Sequence, residues 1–150
     1  MKRSCAREIA VRMCFLLSMA DVEAKKLLQE FFDKSYYDTL ASEDEVFSDF
    51  PDPKQREYIE KVICGIDLHH AELDDYVAKY AKGWKFERVS RTALAIMKVA
   101  MYEILYMPEI PNATAINEAV EIAKKYEEPK TIAFVNGVLG SFLREEAEKI

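Results

Sequence analysis

The chain has 150 residues, half of them hydrophobic, and a formal net charge of −6 at pH 7. This length corresponds to one domain that can bury a substantial core without disulfides. Its three cysteines, Cys5, Cys14 and Cys64, contain no Cys-x-x-Cys pair, which favours reduced thiols and a cytoplasmic location. Residues 1–18 carry too many charges for a signal peptide or a membrane span.

The charge is unevenly distributed along the chain. Residues 1–18 hold four cations against the single carboxylate of Glu8, a net charge of +3, so the remaining residues sum to −9. An acidic surface repels phosphate, but a basic corner on an acidic body can bind a phosphate backbone there and a basic protein elsewhere. The alternative is an ordinary solvated helix end. The four cations are Lys2, Arg3, Arg7 and Arg12.

Apolar residues at helical spacing predict the elements of the first half. A helix begins near Ser4, and Asp21 is the expected N-cap of a second helix. The acidic segment Asp33 to Asp52 is rich in turn residues and is predicted to hold only short helical turns. Asp52-Pro53-Lys54-Gln55 is typical of a helix start, and one long helix is predicted from there to Lys82-Gly83.

The second half is predicted to contain three more helices. The first covers about Ser90 to Tyr106, and the other two lie between Asn112 and Phe142, the last with Thr131 as its cap. Asn117 and Asn136 stand near apolar faces, so each is predicted to form a hydrogen bond between helices. Gly137 suggests a close helix contact. No segment alternates with period two, so the fold class is all-α, with six or seven helices.

The sequence shows no apparatus for catalysis. His69 and His70 are adjacent, which points their imidazoles about 100° apart on a helix and prevents chelation. The chain contains four glycines and no phosphate-binding loop, nucleophile elbow or HExxH motif. We therefore expect no catalytic residue, no metal site and no cofactor.

Two sequence blocks resemble the signature of the NusB family of bacterial transcription antitermination factors. They are Ile116-Asn117-Glu118-Ala119-Val120 and Phe134-Val135-Asn136-Gly137-Val138-Leu139, and the likeness covers nearly all of the chain. The resemblance implies a single RNA-binding domain of two packed helical subdomains, at about residues 1–82 and 83–150. Other matching residues are Ala6-Arg7-Glu8, Trp84, Arg88, Ala95-Ile96-Met97-Lys98, Ala100, Tyr102-Glu103 and Pro111.

The resemblance also implies a function and an RNA site. NusB proteins bind the boxA element of ribosomal RNA operon transcripts together with NusE, ribosomal small-subunit protein ten, and the complex helps RNA polymerase pass terminators. BoxA would meet the first helix, where the cations pair with phosphate and Phe15, at a position usually occupied by tyrosine, stacks on a base. A core role for Phe15 is equally open. The implied RNA-binding residues are Lys2, Arg3, Arg7, Arg12 and Phe15.

The implied NusE surface comprises Glu87, Glu118 and Lys130. Ala93-Leu94 replaces a charged pair usual in the family, and Lys130 stands where an acidic residue is more familiar. Glu118 is equally suited to pairing inside the fold, and a homodimer is possible. Two alternatives stay open: a helical protein-interaction module without RNA binding, and a stand-alone relative of the NusB-like domain of ribosomal RNA cytosine methyltransferases.

Overall fold

The computed structural model describes residues 1–147, and all regular structure in that range is helical. The all-α fold class is confirmed, but the predicted count of six or seven helices is wrong, because this range contains eight α-helices. Short 3-10 turns cover Glu45–Phe47 and Phe86–Arg88, and a π-helical turn covers Leu143–Ala147. The helices are α1 Arg3–Met19, α2 Ala24–Phe31, α3 Lys34–Leu40, α4 Pro53–Leu68, α5 His70–Tyr80, α6 Arg91–Tyr106, α7 Asn112–Tyr126 and α8 Pro129–Phe142.

The two extra helices have separate causes. The predicted long helix is interrupted at His69, whose backbone leaves helical geometry (φ −107°, ψ 17°) and separates α4 from α5. Ile66 and Leu73 lie seven residues apart, two helical turns, so the apolar stripe stays in phase across the interruption and hides it. The second extra helix is α3, which Asp33 caps by accepting a hydrogen bond from the Tyr36 N–H at 3.1 Å.

Helix caps set the other boundaries. Asp52 accepts a hydrogen bond from the Gln55 N–H at 3.0 Å and Ser90 Oγ accepts one from the Ala93 N–H at 3.0 Å, as predicted. The predicted caps Asp21 and Thr131 are wrong, because α2 begins after Glu23 and α8 begins at Pro129. Proline fits that first helical position because its missing N–H has no partner there.

The described residues form two compact units, which divide between Leu68 and His69. This division lies at the break between α4 and α5, whereas the sequence placed it near residue 82. In the first unit α1 packs on α4 through fully buried Ile9, Met13 and Ile59. Four aromatic rings support that core at centroid distances of 5.1–6.5 Å, and they belong to Phe31, Tyr37, Phe47 and Phe50.

The second unit is built around α6. Met97 and Met101 of α6 are fully buried, and α5, α7 and α8 all pack on this helix. At one end of the α5–α6 pair, the rings of His69 and Tyr106 stack at 4.4 Å, and the Tyr106 hydroxyl donates to Glu72 Oε1 at 2.8 Å. These contacts hold α5 and α6 together. Residues 81–90 connect the other ends of the two helices, so both ends of this connection are fixed. Among residues 1–147 no helix combines the length and apolarity needed to cross a bilayer.

Candidate nucleic-acid interface

The predicted RNA-binding cations lie on α1, and we call Lys2, Arg3, Arg7 and Arg12 the N-terminal cluster. Lys2 precedes the first residue of α1 and its side chain is exposed. The first turn contains no acidic residue, so the positive end of the helix dipole is not compensated by a carboxylate of that turn. The start of α1 is therefore electrically suited to an anion.

Arg3 is held in place by α4. Its Nε donates a hydrogen bond to Gln55 Oε1 at 2.8 Å, and its guanidinium carbon lies 4.2 Å from the centre of the Tyr58 ring. Tyr58 is buried while Arg3 is half-buried, so the ring supports the guanidinium from the protein side. Gln55 is neutral, and this hydrogen bond leaves the charge of Arg3 in place.

Arg7 and Arg12 are more deeply engaged. Arg7 is only 3% exposed, with its guanidinium carbon 5.9 Å from the centre of the same Tyr58 ring. Arg12 Nη1 lies 2.6 Å from Asp44 Oδ2, in an ion pair whose two side chains are each about a third exposed. Arg3, Arg7 and Arg12 thus lie on α1 and Lys2 directly precedes it, but the four cations are unequally accessible, with Lys2 the most open.

Phe15 lies farther along α1 and is half-buried. Its carbonyl oxygen accepts a hydrogen bond from Ser18 Oγ at 2.6 Å, one turn before α1 ends at Met19. Phe15 is thus neither fully buried nor fully exposed. Both interpretations of Phe15 from the sequence keep a physical basis.

Two of the three predicted partner residues, Glu87 and Lys130, are each near Trp84 in the second unit, Glu87 in sequence and Lys130 in space. The Trp84 and Phe134 rings pack at 4.4 Å, and Lys130 Nζ lies 5.6 Å from the centre of the Trp84 ring. Glu87 is exposed on the same connection, three residues after Trp84. Ser90 Oγ ties this connection to the end of α7 by donating to Glu127 Oε1 at 2.7 Å.

The third predicted partner residue, Glu118, is half-buried on α7. Ala93 and Leu94 of α6 replace the charged pair that is usual in the family. Ala93 is fully buried and Leu94 is half-buried. An apolar pair at the start of α6 therefore contributes to packing in the second unit rather than to a charged surface.

The predicted hydrogen bonds of Asn117 and Asn136 between helices are wrong. Asn117 and Asn136 are exposed and line an open groove of about 600 Å³ between α7 and α8, and within residues 1–147 neither forms the predicted hydrogen bond between helices. Gly137 is also exposed, and a Cβ atom built there meets no atom within 4 Å, so it does not mark a close helix contact. The buried stripe of α8 instead runs through Val135, Val138 and Leu139.

Sequence reasoning missed a group of exposed cations between α5 and α6. Lys82, Lys85 and Arg88 are exposed in the chain around Trp84, and Arg88 had been noted only as part of the family resemblance. The net charge of residues 82–91 is +3, a local excess that a charge count over short windows would have found. Within residues 1–147, no group of three or more histidine, cysteine or acidic side chains is arranged to hold a metal ion.

Comparison with known proteins gives consistent matches over nearly the whole chain. The model of the NusB family matches residues 4–144. A protein of Clostridium novyi (strain NT) named transcription antitermination protein NusB is 34% identical, over 96% of this chain and 99% of its own length. A protein of the same name from Thermoanaerobacter sp. (strain X514) is 35% identical, over 97% of this chain and 93% of its own length.

A solved structure gives the same result for the fold. The structure of T. maritima NusB superposes with a TM-score of 0.80 at 28% sequence identity, covering 99% of this chain and 95% of that one. The family resemblance that Asn117, Asn136 and their neighbours suggested is thereby confirmed. The chain belongs to the NusB family, whose members are transcription antitermination factors and not enzymes.

Proposed function

We propose that this protein binds boxA RNA of ribosomal RNA operon transcripts together with NusE, in the cytoplasm, and helps RNA polymerase pass terminators. The observation that carries the proposal is the cationic, carboxylate-free first turn of α1 in a chain that matches the NusB family over residues 4–144. Single-stranded RNA bound there gains phosphate pairing without a competing acidic residue in that turn.

Lys2 and Arg3 carry the first phosphate contacts in this proposal. Lys2 is exposed next to the positive end of α1, and Arg3 is half-buried above Tyr58 with its charge uncompensated by Gln55. A helix N-terminus and two cations act together on one anion, since dipole and charge have the same sign. The exposed part of Phe15 offers a face on which a base stacks.

Arg7 and Arg12 contribute to RNA binding in a different way. Arg7 is buried beside Tyr58, so it supports the positive potential of the first turn and the position of that ring. Arg12 is paired with Asp44, and a phosphate has to compete with that carboxylate to reach it. We therefore assign Lys2 and Arg3 the larger share of RNA affinity.

The proposed NusE surface uses Glu87, Glu118 and Lys130. Glu87 and Lys130 lie in the region of Trp84, where the α5–α6 connection meets the start of α8. Glu87 and Lys130 are exposed side chains of opposite sign, which suit a polar protein contact that sets orientation and association rate.

Titration of labelled boxA RNA and a scrambled RNA of equal length, each with and without NusE, tests the proposal. We expect preference for boxA in the presence of NusE and loss of affinity in K2E/R3E. The matched control K26E/K34E changes two exposed lysines of the same unit and the same number of charges. Equal affinity of the NusE complex for the two RNAs refutes the proposal.

One observation favours a second candidate function, a helical protein-interaction module without RNA binding. Arg7 is buried and Arg12 is ion-paired, which leaves fewer accessible cations on α1 than the sequence suggests. The same titration separates the two candidates: K2E/R3E retains NusE binding in both, but changes RNA affinity only if α1 binds RNA.

A further inference from the structure

A second concentration of positive charge lies in residues 82–91, the connection that leads from α5 into α6. This segment has one carboxylate, Glu87, and a net charge of +3 in a chain whose total is −6. Lys82, Lys85 and Arg88 are exposed, and none of the three forms an ion pair with another described residue. Their charges are therefore available to an external anion.

Aromatic side chains alternate with these cations. Trp84 and Phe86 are both half-buried, and each has Lys85 as an immediate neighbour in sequence. Lys82 lies two residues before Trp84, and Arg88 lies two residues after Phe86. The Trp84 ring is fixed by packing on Phe134 at 4.4 Å, and Lys130 Nζ at 5.6 Å from its centre adds another cation. The ring thus forms a supported platform whose surroundings are positive.

The position of the platform is fixed by the fold. Gly83 takes a left-handed conformation (φ 78°), which glycine adopts without strain, and turns the chain into Trp84 directly after the end of α5. At the other end of the connection, Ser90 Oγ accepts a hydrogen bond from the Ala93 N–H and donates one to Glu127 Oε1. These two hydrogen bonds hold that end in place. The cations are therefore presented from a short, anchored segment.

We propose that this surface, formed by Lys82, Trp84, Lys85, Phe86 and Arg88, is a second contact for single-stranded RNA. Cations that pair with phosphate, combined with aromatic faces on which bases stack, are the means by which proteins hold single strands without reading sequence. The inference rests on the proposed function in one respect, that the ligand is RNA. This Trp84 surface adds affinity and leaves sequence preference to other contacts.

RNA explains the arrangement better than an acidic protein partner does. Binding of an acidic protein segment requires only the cations. Half-buried Trp84 and Phe86, which lie among the cations, also supply the aromatic area on which RNA bases stack. Glu87, proposed above to face NusE, is the only carboxylate within residues 82–91. A purely protein-binding role for Lys82, Lys85 and Arg88 is the competing outcome of the test.

The chain contains a single tryptophan, Trp84, so its intrinsic fluorescence reports directly on this surface. We expect boxA RNA and an oligouridylate of equal length both to change the Trp84 emission at low salt. In K82Q/K85Q/R88Q, RNA affinity at low salt should fall on the order of tenfold. The slope of log affinity against log salt should fall by roughly 2, since each single-strand phosphate contact contributes ~0.7.

The matched control is K26Q/K34Q/K61Q, which removes three exposed cations from the first unit and gives the same net charge. It should bind RNA with the affinity and salt slope of the parent within about twofold, because it changes only long-range electrostatics. Urea unfolding of both triple variants checks that they remain folded. The Trp84 emission of the unmodified protein tests the surface without any substitution.

Several results would overturn the inference. RNA that binds without changing Trp84 emission does not stack there, and equal affinity and salt slope in the two triple variants exclude phosphate contacts. Loss of NusE binding with RNA binding intact in K82Q/K85Q/R88Q makes this a protein surface. Failure of the proposed function looks different, since it removes the preference for boxA over scrambled RNA but leaves the oligouridylate response.

Discussion

The segments that contain the N-terminal cluster and the Trp84 surface have the same net charge but differ in how accessible their cations are. Residues 1–18 and residues 82–91 each carry a net charge of +3. In the first segment, Arg3 is bound to Gln55, Arg7 is buried and Arg12 is paired with Asp44. In the second, Lys82, Lys85 and Arg88 are exposed. Net charge in a sequence therefore does not measure charge available to a ligand.

The difference follows from what each segment packs against. α1 lies on α4 and buries a face of the helix that includes Arg7 as well as apolar residues. A guanidinium in such a position needs internal partners, because an unpaired buried charge is strongly destabilising. The α5–α6 connection is short, and its cations Lys82, Lys85 and Arg88 are exposed to solvent. Solvent stabilises their charges, so these side chains need no internal partners.

The largest expected effect is on stability in the N-terminal cluster. Arg7→Ala should lower the free energy of unfolding by about 2–4 kcal/mol, since it removes a buried side chain together with its contact to the Tyr58 ring. The exposed counterpart Lys82→Ala should change it by less than about 0.5 kcal/mol. Urea denaturation measures both values. Similar small losses in the two variants would break the comparison.

The next effect concerns the helical pair that carries the Trp84 surface. The hydrogen bond to Glu72, followed by burial, raises the pKa of Tyr106 to about 12. Since the folded pKa exceeds the unfolded one, the stabilisation is complete below pH 10 and is lost as pH rises towards 12. Tyr106→Phe should cost roughly 1 kcal/mol at neutral pH and reduce the alkaline loss.

Measuring unfolding free energy from pH 7 to pH 11 tests this prediction. RNA binding at neutral pH serves as the control, because Tyr106 lies at the opposite end of α5 and α6 from residues 81–90. An unchanged alkaline decline in Tyr106→Phe would mean that another group causes it. Tyr37 contributes in the same direction, since burial raises the pKa of its hydroxyl.

A smaller effect should appear when Arg12 is released. Asp44→Asn removes the ion pair but keeps an oxygen that can accept the Val46 N–H now bound to Asp44 Oδ1 at 3.0 Å. BoxA affinity at low salt should rise about twofold to fivefold, a change of ~0.4–1 kcal/mol that is typical of an ion pair near the surface. Asp38→Asn, an exposed carboxylate on α3, is the control for net charge. Equal gains in both variants would show that only total charge matters.

The smallest effect is a pH dependence near the start of α1. The Gln55 N–H, and then the amino group of Met1, lower the pKa of Asp52 below its usual value. Its contribution to stability is therefore present above that usual value and is lost as pH falls through the folded pKa. The parent should lose stability on acidification from pH 5 to pH 3 slightly more steeply than Asp52→Asn. Parallel curves from urea unfolding would contradict this.

Local signals predicted much of the fold. The caps at Asp52 and Ser90, and the range of α6, depend on residues within a few positions of one another, so the sequence contained them. The break at His69 was missed because Ile66 and Leu73 keep the apolar stripe in phase across it.

The candidate site was less accessible to sequence reasoning. The positions of the cations on α1 followed from composition, but their availability depends on partners 32 and 52 residues away, Asp44 for Arg12 and Gln55 for Arg3. Asn117 and Asn136 were assigned to the interior because they stand next to apolar residues. A small rotation of a helix about its axis decides which face is covered, and periodicity does not determine it.

The neutral partner of Arg3 has a consequence for how this side chain binds an anion. Gln55 and Tyr58 restrict the guanidinium to one orientation, yet neither carries a negative charge that a phosphate must displace. The rotamer entropy that a long side chain loses on binding is thus already lost in the free protein. Arg3 is preorganised at full charge, and exchanging Gln55 for glutamate would keep the orientation while cancelling the attraction.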